Sequence, residues 1–152
     1  MRDEQVTPDF HLSEFLLSST AVRLSIDNTP PPDILGMLRD VLIPSMQKVR
    51  DLLKVPIHID SGYRCPSLNA AVNGAHNSDH MTGHAADFVA PQFGTPTAIA
   101  RFLVGKMSEL QFDQLILEGT WVHISFNTRS RNEVLTAHFS AGGRTTYTQG
   151  LA

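Results

Sequence analysis

Residues that could bind a metal ion lie close together near the middle of the sequence, in the stretch Ser-Asp-His-Met-Thr-Gly-His-Ala-Ala-Asp at residues 78–87. Imidazole and carboxylate groups are common zinc ligands. Asp87 follows His80 by seven residues, and Gly83 between them allows a sharp turn, so the two side chains can point at one centre. A catalytic zinc site needs three protein ligands and one open position, so this stretch alone does not complete one.

A third candidate ligand, His123, lies in the alternating segment Trp-Val-His-Ile-Ser-Phe at residues 121–126. Successive side chains of a strand point to opposite faces of a sheet. The residues predicted to face the core are Val122, Ile124 and Phe126, and those predicted to face a cleft are Trp121, His123 and Ser125. Such a strand would hold His123 rigidly, as a ligand requires. From the residues alone, a surface-facing or hydrogen-bonded histidine without a metal is the alternative.

The stretch at residues 78–87 resembles the signature Ser-x-His-x-x-Gly-x-Ala-x-Asp at every fixed position. That signature is typical of zinc D-Ala-D-Ala carboxypeptidases and related cell-wall endopeptidases, the M15 group, whose fold is shared with the Hedgehog signalling domain. Two further segments resemble the same family in the same order, namely Ser-Gly-Tyr-Arg at residues 61–64 and Trp-Val-His at residues 121–123. The resemblance extends over about residues 10–126 and so covers most of the chain.

The resemblance implies that His80, Asp87 and His123 bind a zinc ion. Two neutral imidazoles and one carboxylate leave such a site with a net positive charge and one open position. There zinc would lower the pKa of a bound water from 15.7 to about 7 and polarise a peptide carbonyl. The implied cofactor is therefore Zn²⁺, and the implied reaction is hydrolysis of a peptide bond.

The position of the general base departs from the commonest family pattern. Many members carry Glu or Asp three residues before the last ligand, where this sequence has Thr120. Others, including the Hedgehog-like branch, carry a Glu at the end of the preceding strand, and Glu118 matches that pattern with a shorter connection. A carboxylate there can take a proton from water and pass it to the leaving amine. Glu118 is the predicted base, with a solvated hairpin residue as the alternative, and Asp113 is the second candidate.

Three residues are assigned to the substrate by the same resemblance. Arg64 matches an arginine that faces the scissile carbonyl or an anionic substrate group, for which its planar charged fork is suited. Its alternative is an ordinary surface salt bridge. Ser78 matches a residue that contacts substrate, although its hydroxyl could equally cap the loop. Trp121 stands where some relatives carry a histidine, which predicts an aromatic wall and no second proton donor.

The periodicity of apolar residues predicts the elements that must position these groups. Apolar residues spaced by three and four between residues 34 and 53 indicate an amphipathic helix, with a kink or break at Pro44. Shorter helices are predicted at about 12–18, at 68–72 and from Thr95 or Thr97 onward. The predicted strands are 56–61, 85–90, 114–118, 121–126 and 134–139, the last as an edge strand.

Helices early and strands late in the sequence predict an α+β fold. We expect the helices to pack on one face of a small antiparallel sheet, with the zinc cleft on the other face. The 152 residues fit a single zinc peptidase domain. Its predicted parts include an N-terminal helical arm at residues 1–32 and a loosely held tail at about 140–152.

Composition narrows the partners and the location of the protein. The net charge is −3, with 12 basic and 15 acidic residues and no basic run, so nucleic acid is not an expected partner. No apolar run approaches the ~20 residues that span a bilayer, and the charged N-terminus is not a signal peptide. We expect synthesis in the cytoplasm and another route to the cell wall, with a phage or prophage origin fitting as well as a bacterial one. The single cysteine, Cys65, excludes an internal disulfide.

The resemblance implies that the substrate is the peptide part of peptidoglycan. Two activities stay open, a carboxypeptidase that removes a terminal D-Ala and an endopeptidase that cuts an internal bond. A function of another class also stays open. The Hedgehog domain shows that this zinc scaffold can serve as a binding module without hydrolysis.

Overall fold

A six-stranded sheet packed against helices forms the core of the protein in the computed structural model, which describes residues 3–151. The strands are β1 Gln5–Thr7, β2 Phe10–His11, β3 His58–Ser61, β4 Ala85–Val89, β5 Gln114–Glu118, β6 Trp121–Ser125, β7 Glu133–Phe139 and β8 Thr145–Gln149. β1 and β2 form a separate small hairpin, and the large sheet has the order β3-β4-β6-β5-β7-β8. The α+β class predicted from the sequence is confirmed.

Six α-helices accompany the sheet in the described part of the chain, and two of them are joined by a wider turn. They are α1 Ser19–Arg23, α2 Pro32–Met37, α3 Ile43–Leu53, α4 Pro66–Ala71, α5 Pro96–Val104 and α6 Met107–Leu110. A π-helical segment, Leu38–Leu42, links α2 to α3, and the N–H of Ile43 donates to the carbonyl of Leu38. Pro44 lacks an N–H and its ring crowds the preceding turn, so this widened turn is the form that the predicted kink takes.

The helices cover one face of the large sheet. Their buried apolar residues, which include Leu42, Met46, Val49, Ile99 and Leu103, join one cluster with Phe88, Leu115, Val122 and Ile124 of the sheet. The alternation of buried and exposed side chains in the predicted strand at residues 56–61 is present. Ile57 and Ile59 are buried, and His58 and Asp60 are exposed. Between residues 3 and 151, none of the helices combines the length and the apolar character that a bilayer-spanning segment requires.

The C-terminal part of the sheet differs from the sequence-based expectation. β7 pairs with β5 in parallel, from Gln114 opposite Glu133 to Leu117 opposite Thr136, so the sheet is mixed and not wholly antiparallel. The parallel pairing arises because residues 126–132 carry the chain past the start of β5, where Gln114 lies between Ser125 and Glu133. β7 is also not the edge strand, because β8 pairs with it antiparallel within the region predicted as a loose tail. The β-branched threonines of β8 suit a strand.

A β-bulge interrupts the pairing of β3 with β4. Ile59 lies opposite Phe88 and Ser61 lies opposite Asp87, so Asp60 is an extra residue without a partner position. Bulges bend a strand and redirect the residues that follow it. The bulge therefore sets the direction in which the chain leaves β3 towards Gly62.

The segment that crosses from β6 to β7 is tied down by the buried carboxylate of Asp113. Arg131 donates to it from Nε at 2.9 Å, from Nη2 at 3.0 Å and from its backbone N–H at 3.1 Å. Arg129 Nη2 lies 3.0 Å from the same carboxylate. Burial acts to raise the pKa of Asp113, but the hydrogen bonds of Arg131 and the charge of Arg129 outweigh it and hold the pKa below its usual range.

We expect Asp113→Asn to lower the free energy of unfolding by about 1–3 kcal/mol at pH 7, because the amide leaves guanidinium donors without acceptors. The native pKa of Asp113 is depressed, so its stabilisation is present above the unfolded pKa and disappears as the pH falls through the native value. Urea denaturation should therefore show the gap to wild type narrowing in acid. Glu4→Gln, which breaks an exposed pair with Arg39, is the control and should have little effect. Equal losses in the two variants would contradict this account.

Candidate metal centre

Three side chains converge on the open face of the sheet, and they are the three predicted ligands. Asp87 on β4 lies directly opposite His123 on β6 in the antiparallel register, and His80 reaches them from the loop before β4. His123 Nδ1 is 2.9 Å and His80 Nε2 is 3.3 Å from Asp87 Oδ1. One ligand atom from each residue lies within 4.8 Å of the others. This triad of His80, Asp87 and His123 could hold one metal ion.

The His80 ring is fixed from behind by backbone. Its Nδ1 lies 2.7 Å from the carbonyl oxygen of Gly62, which can only accept, so Nδ1–H donates and Nε2 is left facing Asp87. The His80 N–H donates to Ser78 Oγ at 3.2 Å, and the His80 carbonyl accepts from the Arg64 N–H at 3.1 Å. A ligand histidine commonly donates its second N–H to a carbonyl in this way, which sets its tautomer and orientation.

The N-terminal arm holds Gly62 and its neighbours in place. The Tyr63 N–H donates to the carbonyl of Phe15 at 2.7 Å. The Asn28 amide donates to the Tyr63 carbonyl at 3.0 Å and accepts from the Cys65 N–H at 2.8 Å. A Cβ on Gly62 would lie 2.5 Å from the Phe15 carbonyl oxygen, so only glycine permits this close approach.

The electrostatics of the triad favour an ionised Asp87 carboxylate. Burial acts to raise the pKa of Asp87, but His80 and His123 together outweigh it and hold the pKa of the carboxyl far below its usual range. Burial lowers the pKa of His80, which keeps that imidazole neutral, as a ligand must be. Burial also acts to lower the pKa of His123, but the hydrogen bond and charge of Asp87 and the charge of Glu118 raise it.

The donor set fits zinc. Two imidazole nitrogens and one carboxylate oxygen are the ligand types that catalytic zinc sites combine, with a fourth position left for water or substrate. His80 and His123 are buried, and the Asp87 side chain is only 13% exposed, so the three donors are preorganised and not mobile surface groups. Their remaining side opens into a cleft of about 510 Å³.

The predicted base and substrate residues line this same cleft. They are Glu118, Arg64, Ser78 and Trp121. Burial, followed by the charge of Asp87, raises the pKa of the Glu118 carboxyl. Burial lowers the pKa of Arg64, while the charges of Asp87 and Glu118 oppose that change. The Trp121 indole N–H is close enough to favour the charged form of Glu118, although it makes no hydrogen bond of standard geometry.

The sequence profile of the family described as Peptidase M15 matches residues 8–125. The chain belongs to the peptidase M15 family. The M15 family is zinc-dependent, so this chain is a metallopeptidase whose substrate is a peptide, and the triad lies within the matched residues. Among curated proteins, none matches the chain significantly.

Some features of this M15 peptidase were not predicted from its sequence. Asp79 accepts from Asn127 Nδ2 at 3.1 Å and from Arg129 Nη2 at 2.7 Å. Arg129 therefore ties the loop that carries His80 to Asp113, and the engagement of both Asp113 oxygens leaves Glu118 as the better candidate base. The two partners of Asp79 lie 48 and 50 positions from it, so no local sequence pattern predicts these hydrogen bonds.

Ser125 and Ser78 also need comment against their predicted positions. Ser125 was predicted to face the cleft, but it is fully buried and is not among the residues that line the cleft. Ser78 lines the cleft, and its hydroxyl also accepts from the His80 N–H. The capping role that the sequence left open is therefore present at Ser78 together with access to the cleft.

Gly62→Ala should weaken zinc binding by about 10- to 100-fold, the usual effect of disturbing a group that orients a ligand. The new Cβ would collide with the Phe15 backbone and displace the carbonyl that orients His80. A competition titration against a zinc indicator and a thermal unfolding curve would measure both effects.

Gly36→Ala is the matched control for this substitution. Gly36 lies in α2, where a Cβ would meet no other part of the chain within 4 Å. Alanine there should stabilise the helix by about 0.5–1 kcal/mol and leave zinc affinity unchanged. If Gly62→Ala bound zinc as tightly as Gly36→Ala, the Gly62 carbonyl would have no orienting role.

Proposed function

We propose that this M15 peptidase hydrolyses a peptide bond in the stem peptides of bacterial peptidoglycan, with zinc bound by His80, Asp87 and His123. The observation that carries the proposal is the convergence of these three donors beside the partly buried carboxylate of Glu118 in one cleft. A metal site built for structure alone would be closed by a fourth protein ligand, whereas this donor set opens to the cleft.

Each residue of the proposed centre has a separate task. Zinc, when bound, supplies a Lewis acid and lowers the pKa of a water molecule towards neutrality. Asp87 and His123 are held rigidly on adjacent strands, and the Gly62 carbonyl holds His80, so the donors need little rearrangement. This preorganisation leaves the open side of the three donors facing the cleft.

Glu118 is the proposed base and then the proposed acid. A general base works best when its pKa is near the working pH, and burial raises the pKa of Glu118 in that direction. The carboxylate would take the proton of the attacking water and deliver it to the leaving amine. Its place at the end of β5, opposite Trp121 on β6, fixes it at the cleft.

Arg64 and the cleft residues Ser78 and Trp121 are proposed to contact the substrate. Arg64 is the permanent cation near Glu118 and Asp87, and its guanidinium can stabilise charge that develops on the scissile carbonyl oxygen or bind a terminal carboxylate. Trp121 would form an apolar wall against the peptide. The Ser78 hydroxyl can donate to substrate while it accepts from the His80 N–H.

Two finer activities fit this proposal, a D-Ala-D-Ala carboxypeptidase and an endopeptidase for an internal bond. Either requires delivery to the cell wall, and a phage or prophage lysis system is one proposed route. Mass spectrometry of digested wall peptides distinguishes the two activities. Release of free alanine indicates the carboxypeptidase, and release of larger peptides indicates the endopeptidase.

A non-catalytic binding module with the same zinc site is the second candidate. The observation that favours it is Thr120, which occupies the position where many relatives carry the acidic residue. Zinc would then help to hold a ligand without turnover. A zinc-loaded wild type that binds wall peptides and cleaves none of them would support this candidate.

Glu118→Gln should lower the rate of wall-peptide cleavage at least ~10²-fold while zinc stays bound, because the amide cannot accept the proton. His123→Ala should lose zinc as well as activity. The measurements are mass-spectrometric cleavage assays and elemental zinc analysis of each variant. Glu109→Gln, at an exposed glutamate of α6, is the control and should match wild type. Full activity in Glu118→Gln would remove Glu118 from the mechanism.

A further inference from the structure

Two exposed aromatic residues extend the cleft beyond the catalytic groups. Phe139 on β7 and Tyr147 on β8 are 57% and 53% exposed, although both line the cleft that also contains the triad. The Phe139 ring centroid lies 6.3 Å from that of Trp121. Trp121, Phe139 and Tyr147 form the aromatic wall of the cleft. Large exposed aromatic side chains grouped at a cleft are typical of a surface that binds a ligand.

The strand register places the aromatic wall on the same face as the triad. His123 lies opposite Ile116, and Ile116 lies opposite Leu135 on β7. Ala137 and Phe139 share the face of Leu135 because side chains alternate along a strand. Tyr147 lies opposite Ala137. A continuous surface therefore runs from the triad across β5 and β7 to β8.

The aromatic wall packs against the turn that follows the proposed base, Glu118. A Cβ on Gly119 would lie 3.4 Å from the Phe139 ring, so this ring covers the turn between Glu118 and Trp121. Burial, followed by the charge of Glu118, raises the pKa of Tyr147, so its hydroxyl stays protonated and can donate a hydrogen bond. The wall and the catalytic end of the cleft thus belong to one continuous surface.

The chemistry of the surface along β7 and β8 indicates an uncharged ligand. Leu135, Phe139, Thr145 and Tyr147 line this part of the cleft. The cleft guanidiniums of Arg129 and Arg131 are engaged with Asp79 and Asp113. Apolar rings with two hydroxyl groups suit a peptide segment with small apolar side chains and amide groups.

The distance along this surface sets which part of a substrate it could reach. Three strand-to-strand steps separate β6 from β8, or about 14 Å. An extended peptide advances about 3.3–3.6 Å per residue, so this distance corresponds to about four residues. A dipeptide held at the metal would therefore not reach Tyr147.

We propose that the aromatic wall is an extended substrate subsite, with Phe139 and Tyr147 binding an uncharged peptide segment about three to four residues from the scissile bond. This inference rests on the proposed peptidase function. β7 and β8 lie beyond residues 8–125, which the family profile matches, so Phe139 and Tyr147 belong to the part of the chain outside the matched region. The subsite makes the length of the substrate a determinant of specificity.

The only tryptophan in the sequence is Trp121, so intrinsic fluorescence reports directly on the aromatic wall. The probes are N-acetyl-D-Ala-D-Ala and the N-acetylated stem pentapeptide with its second residue amidated, so that the segment three to four residues from the D-Ala-D-Ala bond is uncharged; both are titrated into metal-free and zinc-loaded protein. We expect the pentapeptide to change the fluorescence in both forms and to bind more tightly than the dipeptide. Phe139→Ala and Tyr147→Ala should each weaken pentapeptide binding by about 3- to 10-fold.

Two further variants make this test more specific, and so does a further probe, the pentapeptide with its disaccharide attached. Tyr147→Phe should retain more affinity than Tyr147→Ala if the ring carries the contact. Val22→Ala truncates an even more exposed apolar side chain in α1 and should bind as wild type does. Equal affinity of all variants for the pentapeptide would overturn the subsite. A fluorescence response that requires the attached disaccharide would also overturn it, in favour of a sugar ligand.

Cleavage kinetics separate failure of the subsite from failure of the proposed function. Wall peptides shortened one residue at a time should lose kcat/KM stepwise, and the loss caused by Tyr147→Ala should be larger for long peptides than for short ones. If zinc-loaded wild type cleaves none of the peptides, the proposed function fails. If wild type cleaves them but Tyr147→Ala shows the same dependence on length, the subsite alone fails.

Discussion

The register of β4 against β6 is the constraint on which the site depends. It places Asp87 opposite His123, and the same register buries Phe88 and Val122 against the helices. A slip of one residue in either strand would turn the polar side chain of that strand towards the core and expose its apolar neighbour. Because each large apolar side chain contributes about 1.5–3 kcal/mol when buried, the core holds the metal donors in place without touching them.

The N-terminal arm contributes to the site at a distance. Its sequence suggested only a helical appendage, but Phe15 and Asn28 receive and donate the hydrogen bonds that fix residues 62–65. Those residues in turn orient His80 and carry Arg64. A change in the arm is therefore transmitted to a proposed metal ligand through two hydrogen bonds.

Local periodicity explains which features the sequence could predict. The helix pattern at residues 34–53, the alternation in β3 and β6 and the tight turn at Gly119 all have short-range signatures, and each is present. The parallel pairing of β7 and the Asp79–Arg129–Asp113 bridge depend on residues far apart in the chain, so no local pattern encodes them. β8 was missed because glycine and threonine dominate its surroundings, which is the composition of a loop.

Because of the bulge at Asp60, the number of residues at the end of β3 is constrained as strictly as their types are. Removing Asp60, which has no partner position on β4, would restore regular pairing. It would also turn the residues that follow towards the opposite face of the sheet. The Gly62 carbonyl would then point away from His80. Homologues that vary in length should therefore place their insertions and deletions in the loop before His80 or between β7 and β8, and spare the junction of β3 with Gly62.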